Sequence, residues 1–150
     1  MPPRAFLTLA VAVACLACSG GRGEGGRAPG GHRAVAPGVV FELLRDNPDV
    51  LVLDVRPFSA YESATGHLER AVSLPAADLP RLWPALGLSR EKTVVLYGDD
   101  GGPHQDAATQ FLASAGQRYV VRIAGGLEAW RAGGFAVVVE DAPLSPVRLD

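Results

Sequence analysis

Three apolar runs, at residues 50–55 (VLVLDV), 93–97 (TVVLY) and 119–123 (YVVRI), constrain this chain more than anything else in it. None alternates apolar with polar residues. A strand that is apolar on both sides belongs in a parallel sheet covered by helices on both faces. Between the second and third runs, Ala107, Ala108, Phe111, Leu112 and Ala115 fall on one helical face, and Gly116 is placed to stop that helix. Strand, helix, strand is the order of a βαβ unit. Upstream, residues 37–45 predict a short helix with Val40, Leu43 and Leu44 inward and Pro37 in its first turn, followed by a turn at Asn47-Pro48-Asp49. Residues 71–74 read as a short strand and 76–86 as interrupted helical turns. Residues 127–132 read as a helix ended by Gly133-Gly134, and 136–139 as an edge strand. The alternation predicts a single α/β domain with a mainly parallel central sheet and helices on both faces.

The first 33 residues do not share this pattern. Arg4 precedes an apolar stretch, residues 5–17, that is too short for the roughly 20 residues of a membrane-spanning helix and suits the core of a signal peptide. It ends in Leu16-Ala17-Cys18-Ser19-Gly20, which resembles the lipobox of bacterial lipoproteins. That resemblance implies export, acylation of Cys18 and anchoring in the cell envelope. Ala12-Val13-Ala14-Cys15 offers a second register, and a plain secretory signal cleaved after Ala17 is the alternative. Residues 18–33 are dominated by glycine, cannot pack a core and predict a flexible tether. The domain is therefore expected over 34–150.

Both cysteines, Cys15 and Cys18, lie in the first twenty residues. The domain is left without a disulfide, a thiolate metal site or a sulfur nucleophile. From Ala34 onward the chain keeps every acid except Glu24 and loses Arg4, Arg22, Arg27 and Arg33, so it is net acidic. No Lys/Arg run is interleaved with aromatics, and nucleic acid is set aside as a partner.

Three separated segments carry a family resemblance: LDVRPFSAYESATGHLERAVSLP (53–75), VVLYGDDGGPH (94–104) and GGLEAWRAGG (125–134). Together they resemble the rhodanese domain. Asp54, Arg56, Glu62, Gly66, His67, Ala71, Leu74 and Pro75 match its D-x-R, following Glu, G-H-I-x-G-A and I-P pattern, and Trp130 matches the Trp of its G-G-x-x-x-W. The resemblance implies the rhodanese fold over nearly the whole domain. It also implies that a catalytic cysteine should follow Tyr97, in a loop written roughly C-x-x-G-x-R-S. This chain has Gly98 there, keeps Gly101, and carries Pro103 and His104 in place of the basic and hydroxyl residues.

The segment Gly98, Asp99, Asp100, Gly101, Gly102, Pro103, His104 thus reads as a vestigial active-site loop. Such a loop works by aiming backbone N–H groups and a helix N-terminus at an anion. Two carboxylates beside it, Asp99 and Asp100, disfavour a sulfur oxyanion by about 1 kcal/mol each at intermediate dielectric. Asp54 and Arg56 read as supports of the loop, His67 as a packing residue, and Trp83 and Trp130 as core. Asp99, Asp100, His104 and Asp106 are weak candidates for a divalent cation or for acid–base chemistry, and acids at a helix N-terminus serve the helix dipole as well. The expectation is a monomeric binding or scaffolding module of the cell envelope, without sulfurtransferase activity or cofactor. Its partner is an envelope protein or a small ligand, and its only membrane contact is the N-terminal lipid. The rival expectations are a metal- or acid/base-dependent enzyme built on residues 99–106, and an anion or small-ligand sensor.

Overall fold

In a computed structural model that describes residues 32–139, the apolar runs become the centre of a five-stranded sheet. The strands are β1 (Arg33–Val35), β2 (Leu51–Asp54), β3 (Ala71–Ser73), β4 (Thr93–Tyr97) and β5 (Tyr119–Ile123). They are ordered β1-β5-β4-β2-β3, and every pairing is parallel. The helices are α1 (Pro37–Asp46), α2 (Phe58–Tyr61), α3 (Leu79–Leu82), α4 (Pro103–Ser114) and α5 (Gly126–Ala132), with a 3-10 turn over Trp83–Leu86 after α3. Tandem prolines explain why 76–86 cannot be one helix: Pro80 and Pro84 each suit a first turn and remove a donor from any longer one.

Alternation along the central strands loads both faces. Leu53, Val94, Leu96 and Val120 pack on one side with Leu79, Trp83, Ala108 and Leu112. Val52, Val95, Tyr97 and Ile123 pack on the other with Val40, Leu127 and Trp130. Helices therefore cover both faces of the sheet, as the unalternating runs require.

Three expectations need correction. The fold starts before Ala34: β1 begins at Arg33, and His32 is buried with its Nε2 3.2 Å from the Gln117 carbonyl. Residues 136–139 do not join the sheet. They make one antiparallel bridge, Val138 to His67, because Gly133-Gly134 turns the chain back beneath the Gly66-His67 turn rather than along β3 or β1. Finally, α4 starts at Pro103, four residues earlier than its apolar face suggests, so Pro103 and His104 are its first turn and not loop. Residues 1–31 and 140–150, including the leader, Cys15, Cys18 and most of the tether, lie outside the described residues.

Candidate functional site

The direction of the chain along the sheet reverses between β2 and β4, and in parallel α/β sheets ligands bind outside the strand C-termini at such a point. Two segments meet there: Asp54 to Arg56, leaving β2, and Gly98 to Gly102, leaving β4.

Asp54 and Arg56 are both fully buried. The Arg56 Nε donates to both Asp54 oxygens (2.9 and 3.1 Å), Nη2 donates to Oδ2 (2.6 Å), and the Arg56 backbone N–H donates to Oδ1 (3.1 Å). The rest of the guanidinium reaches outward, from Nη2 to the Gly66 carbonyl (2.8 Å) and from Nη1 to Thr65 Oγ1 (3.1 Å) and Asp99 Oδ1 (3.5 Å). Burial pulls the Arg56 pKa down, but the hydrogen bonds and charge of Asp54 outweigh it and hold the group above its ordinary value. Tyr97, at the end of β4, donates to Asp54 Oδ2 (2.8 Å) and accepts from the Leu68 N–H (3.0 Å). Burial and the neighbouring Asp54 charge drive the Tyr97 phenol far above its ordinary value, so it stays protonated. A buried ion pair alone is weak evidence of stabilisation, yet here every lone pair is used and the network ties three loops together.

The Gly98 loop is fastened from both sides. Its carbonyls accept from α5: Leu127 N–H to Gly98 O (2.9 Å) and Glu128 N–H to Asp99 O (2.8 Å). Gly126 makes this approach feasible, since a Cβ there would lie 2.6 Å from Gly98 O and 2.7 Å from Asp99 O, and its φ of 59° also favours glycine. On the other side Gln105, 1% exposed, accepts from Gly98 N–H (3.0 Å) and donates to the Ile123 carbonyl (2.9 Å), spanning the ends of β4 and β5. Sequence reasoning missed Gln105. Its spacing to Ala108, Thr109 and Leu112, the buried face of α4, is the signal that identifies it, whereas Ala107, expected inward, is exposed.

The four weak cation candidates do not converge. Asp99 leans on Arg56, Asp100 Oδ1 accepts from the Gly102 N–H (2.9 Å), and Asp106 pairs with Arg122 (2.6 Å). His104 is exposed in the first turn of α4. Among the described residues no group of three or more His, Cys, Asp or Glu side chains is placed to hold a metal ion. His67 packs flat on Tyr61, ring centroids 4.0 Å apart, with Nδ1 2.9 Å from the Leu68 carbonyl. Trp83 and Trp130 are buried, and Trp130 Nε1 donates to the Ala136 carbonyl (3.0 Å).

A wholly parallel sheet, helices on both faces and a glycine-rich loop at the switch point define a doubly wound α/β domain. The sequence matches the rhodanese-like domain family over residues 39–133, and the chain belongs to that family. An uncharacterized protein of Synechocystis sp. is 36% identical over 110 residues, 72% of this chain and 58% of its own length. A tRNA uridine(34) hydroxylase of Photorhabdus laumondii is 31% identical over 88 residues, 56% of this chain and 24% of its own. The chain thus spans less than two thirds of each of these relatives. Among solved structures, a rhodanese-related protein from Thermoplasma volcanium superposes with a TM-score of 0.61 at 26% identity, covering 72% of this chain and 99% of that one. A rhodanese-like domain from Anabaena sp. gives 0.60 at 30% identity, covering 78% and 86%.

Proposed function

We propose that this rhodanese-like domain does not transfer sulfur and acts as a binding or scaffolding module of the cell envelope, exported by residues 1–17 and held by a lipid on Cys18. One observation carries the reading: Gly98 follows β4 where the family's sulfur-carrying cysteine is expected, and no cysteine occurs among the described residues. The surroundings support it. The Gly98 N–H is taken by Gln105, the Gly102 N–H by the carboxylate of Asp100, and Pro103 has no N–H to give. The nearby guanidinium, Arg56, is spent on Asp54, Thr65, Gly66 and Asp99. A sulfur oxyanion therefore meets two carboxylates and a loop in which the Gly98 and Gly102 donors are already engaged.

The purified full-length protein, given thiosulfate and cyanide, is expected to form no thiocyanate above the uncatalysed background. Steady turnover by the wild type overturns the reading. Crosslinking of tagged protein in its host is expected to recover one envelope protein whose capture depends on Asp99 and Asp100. Radiolabelled palmitate is expected on the wild type and not on Cys18→Ala.

A further inference from the structure

Val138 exchanges both backbone hydrogen bonds with His67 (2.9 and 2.7 Å). In an antiparallel pair of this kind the flanking residues turn their N–H and C=O groups to the opposite side. The N–H and C=O of Val137 and the N–H of Val139 accordingly engage no group among the described residues, while the Ala136 carbonyl is taken by Trp130. A row of free main-chain donors and acceptors is an edge that a further strand can complete.

Beside this edge runs a groove of about 380 Å³ lined by Phe41, Leu44, Leu68, Trp130 and Val137, with Arg70 at its rim. Phe41 and Val138 remain 43% and 40% exposed there. The polar rim is unevenly satisfied. Arg45 is neutralised by Asp46 (2.8 Å) and Glu69 also borders the groove. Arg70 donates only to the carbonyls of Pro48 (2.8 Å) and Leu44 (3.2 Å), so its charge has no carboxylate partner among the described residues. Three of its five N–H groups stay free. Its φ of 63° makes it the one non-glycine residue with positive φ among the described residues, and such a conformation persists only where the surroundings hold it.

We propose that residues 136–139 and this groove form a docking surface for an extended segment of a partner protein. The segment pairs with 136–139 as an added strand, sets alternate apolar side chains into the groove and places a carboxylate at Arg70. Main-chain pairing supplies affinity, and the groove and Arg70 supply selectivity. The surface goes beyond the loop-based reading above, since no residue of the Gly98 loop lines it.

Selection of a displayed library of random decapeptides on the full-length protein tests the proposal. The enriched peptides are expected to alternate apolar residues and to carry an acidic residue toward one end. Their Kd should rise at least tenfold with Val138→Asp, severalfold with Arg70→Gly, and not at all with Asp100→Ala. N-methylation of alternate peptide amides, which leaves the protein untouched, should abolish binding, and bound peptide should slow exchange of the Val137 and Val139 amide hydrogens. A library that yields no enrichment overturns the proposal, as do peptides indifferent to both Val138→Asp and N-methylation.

Discussion

At the scale of single residues, the chemistry of this chain is concentrated in the buried side chains of Arg56 and Tyr97 and in the backbone of Gly98. Removing Arg56 leaves Asp54 charged and buried without its cation. Arg56→Met is therefore expected to cost about 3–5 kcal/mol in urea denaturation. Tyr97→Phe strands the Leu68 N–H and one bond to Asp54, a loss of about 1–3 kcal/mol. The phenol also sets an alkaline limit. Folded Tyr97 keeps its proton above about pH 10, where the unfolded chain releases it, so its stabilising contribution is whole below that pH and is lost as pH rises further. Denaturation between pH 8 and 11 should show the gap between wild type and Tyr97→Phe narrowing at the alkaline end. Gly98 has no positive φ, and a Cβ there meets Gln105 Cβ at 3.5 Å, an ordinary contact. Gly98→Cys is thus expected to fold with a melting temperature near that of the wild type, yet to remain without thiosulfate turnover beside Asp99, Asp100 and Pro103.

At the scale of elements, the contrast between two glycines separates loop from helix. Gly126→Ala drives a methyl into Gly98 O and Asp99 O at a positive φ, and should cost about 1–3 kcal/mol, read from thermal melts. Gly98→Ala should be neutral or slightly stabilising, because it restricts the unfolded chain without straining the folded one. The strands β2, β4 and β5, whose apolar pattern is set by burial on two faces, and the helix α1, whose single inward face carries Val40, were legible from sequence alone. The start of α4 was not, since Pro103 and His104 carry no apolar signal and helical order there comes from Gln105 and Asp106 bonding back to the Gly102 carbonyl. β1 escaped notice because three residues at the end of a glycine-rich run give no periodicity, and only pairing with β5 makes them a strand. Within the site, the association of Asp54 with Arg56 followed from adjacency along the strand end. The approach of α5 to the Gly98 loop is a long-range contact that no local pattern encodes.

For the molecule as a whole, the family match over 39–133 covers less than the cooperative unit. His32 and β1 lie before it, and Phe135, the Trp130-to-Ala136 bond and the Val138 bridge lie after it. A chain trimmed to 39–133 gives up an edge strand and uncovers Trp130. Its stability is expected to fall by several kcal/mol, with a broadened or absent cooperative transition in urea, whereas a chain of residues 32–139 should keep a single sharp one. Sheet order follows from the same accounting. With β4 central and buried on both faces, its register with β2 and β5 is fixed by packing, and the edges carry the short strands that are least able to recruit a neighbouring sheet.

Because the first two N–H donors of α5 after Gly126 end on the carbonyls of Gly98 and Asp99, the loop is fastened directly to the helix, and Trp130 sits one turn along it. The indole is consequently a native optical gauge shared by two surfaces: it also lines the groove beside residues 136–139, so emission from Trp130 in a Trp83→Phe background reports a ligand at either, and Asp100→Ala against Val138→Asp tells which.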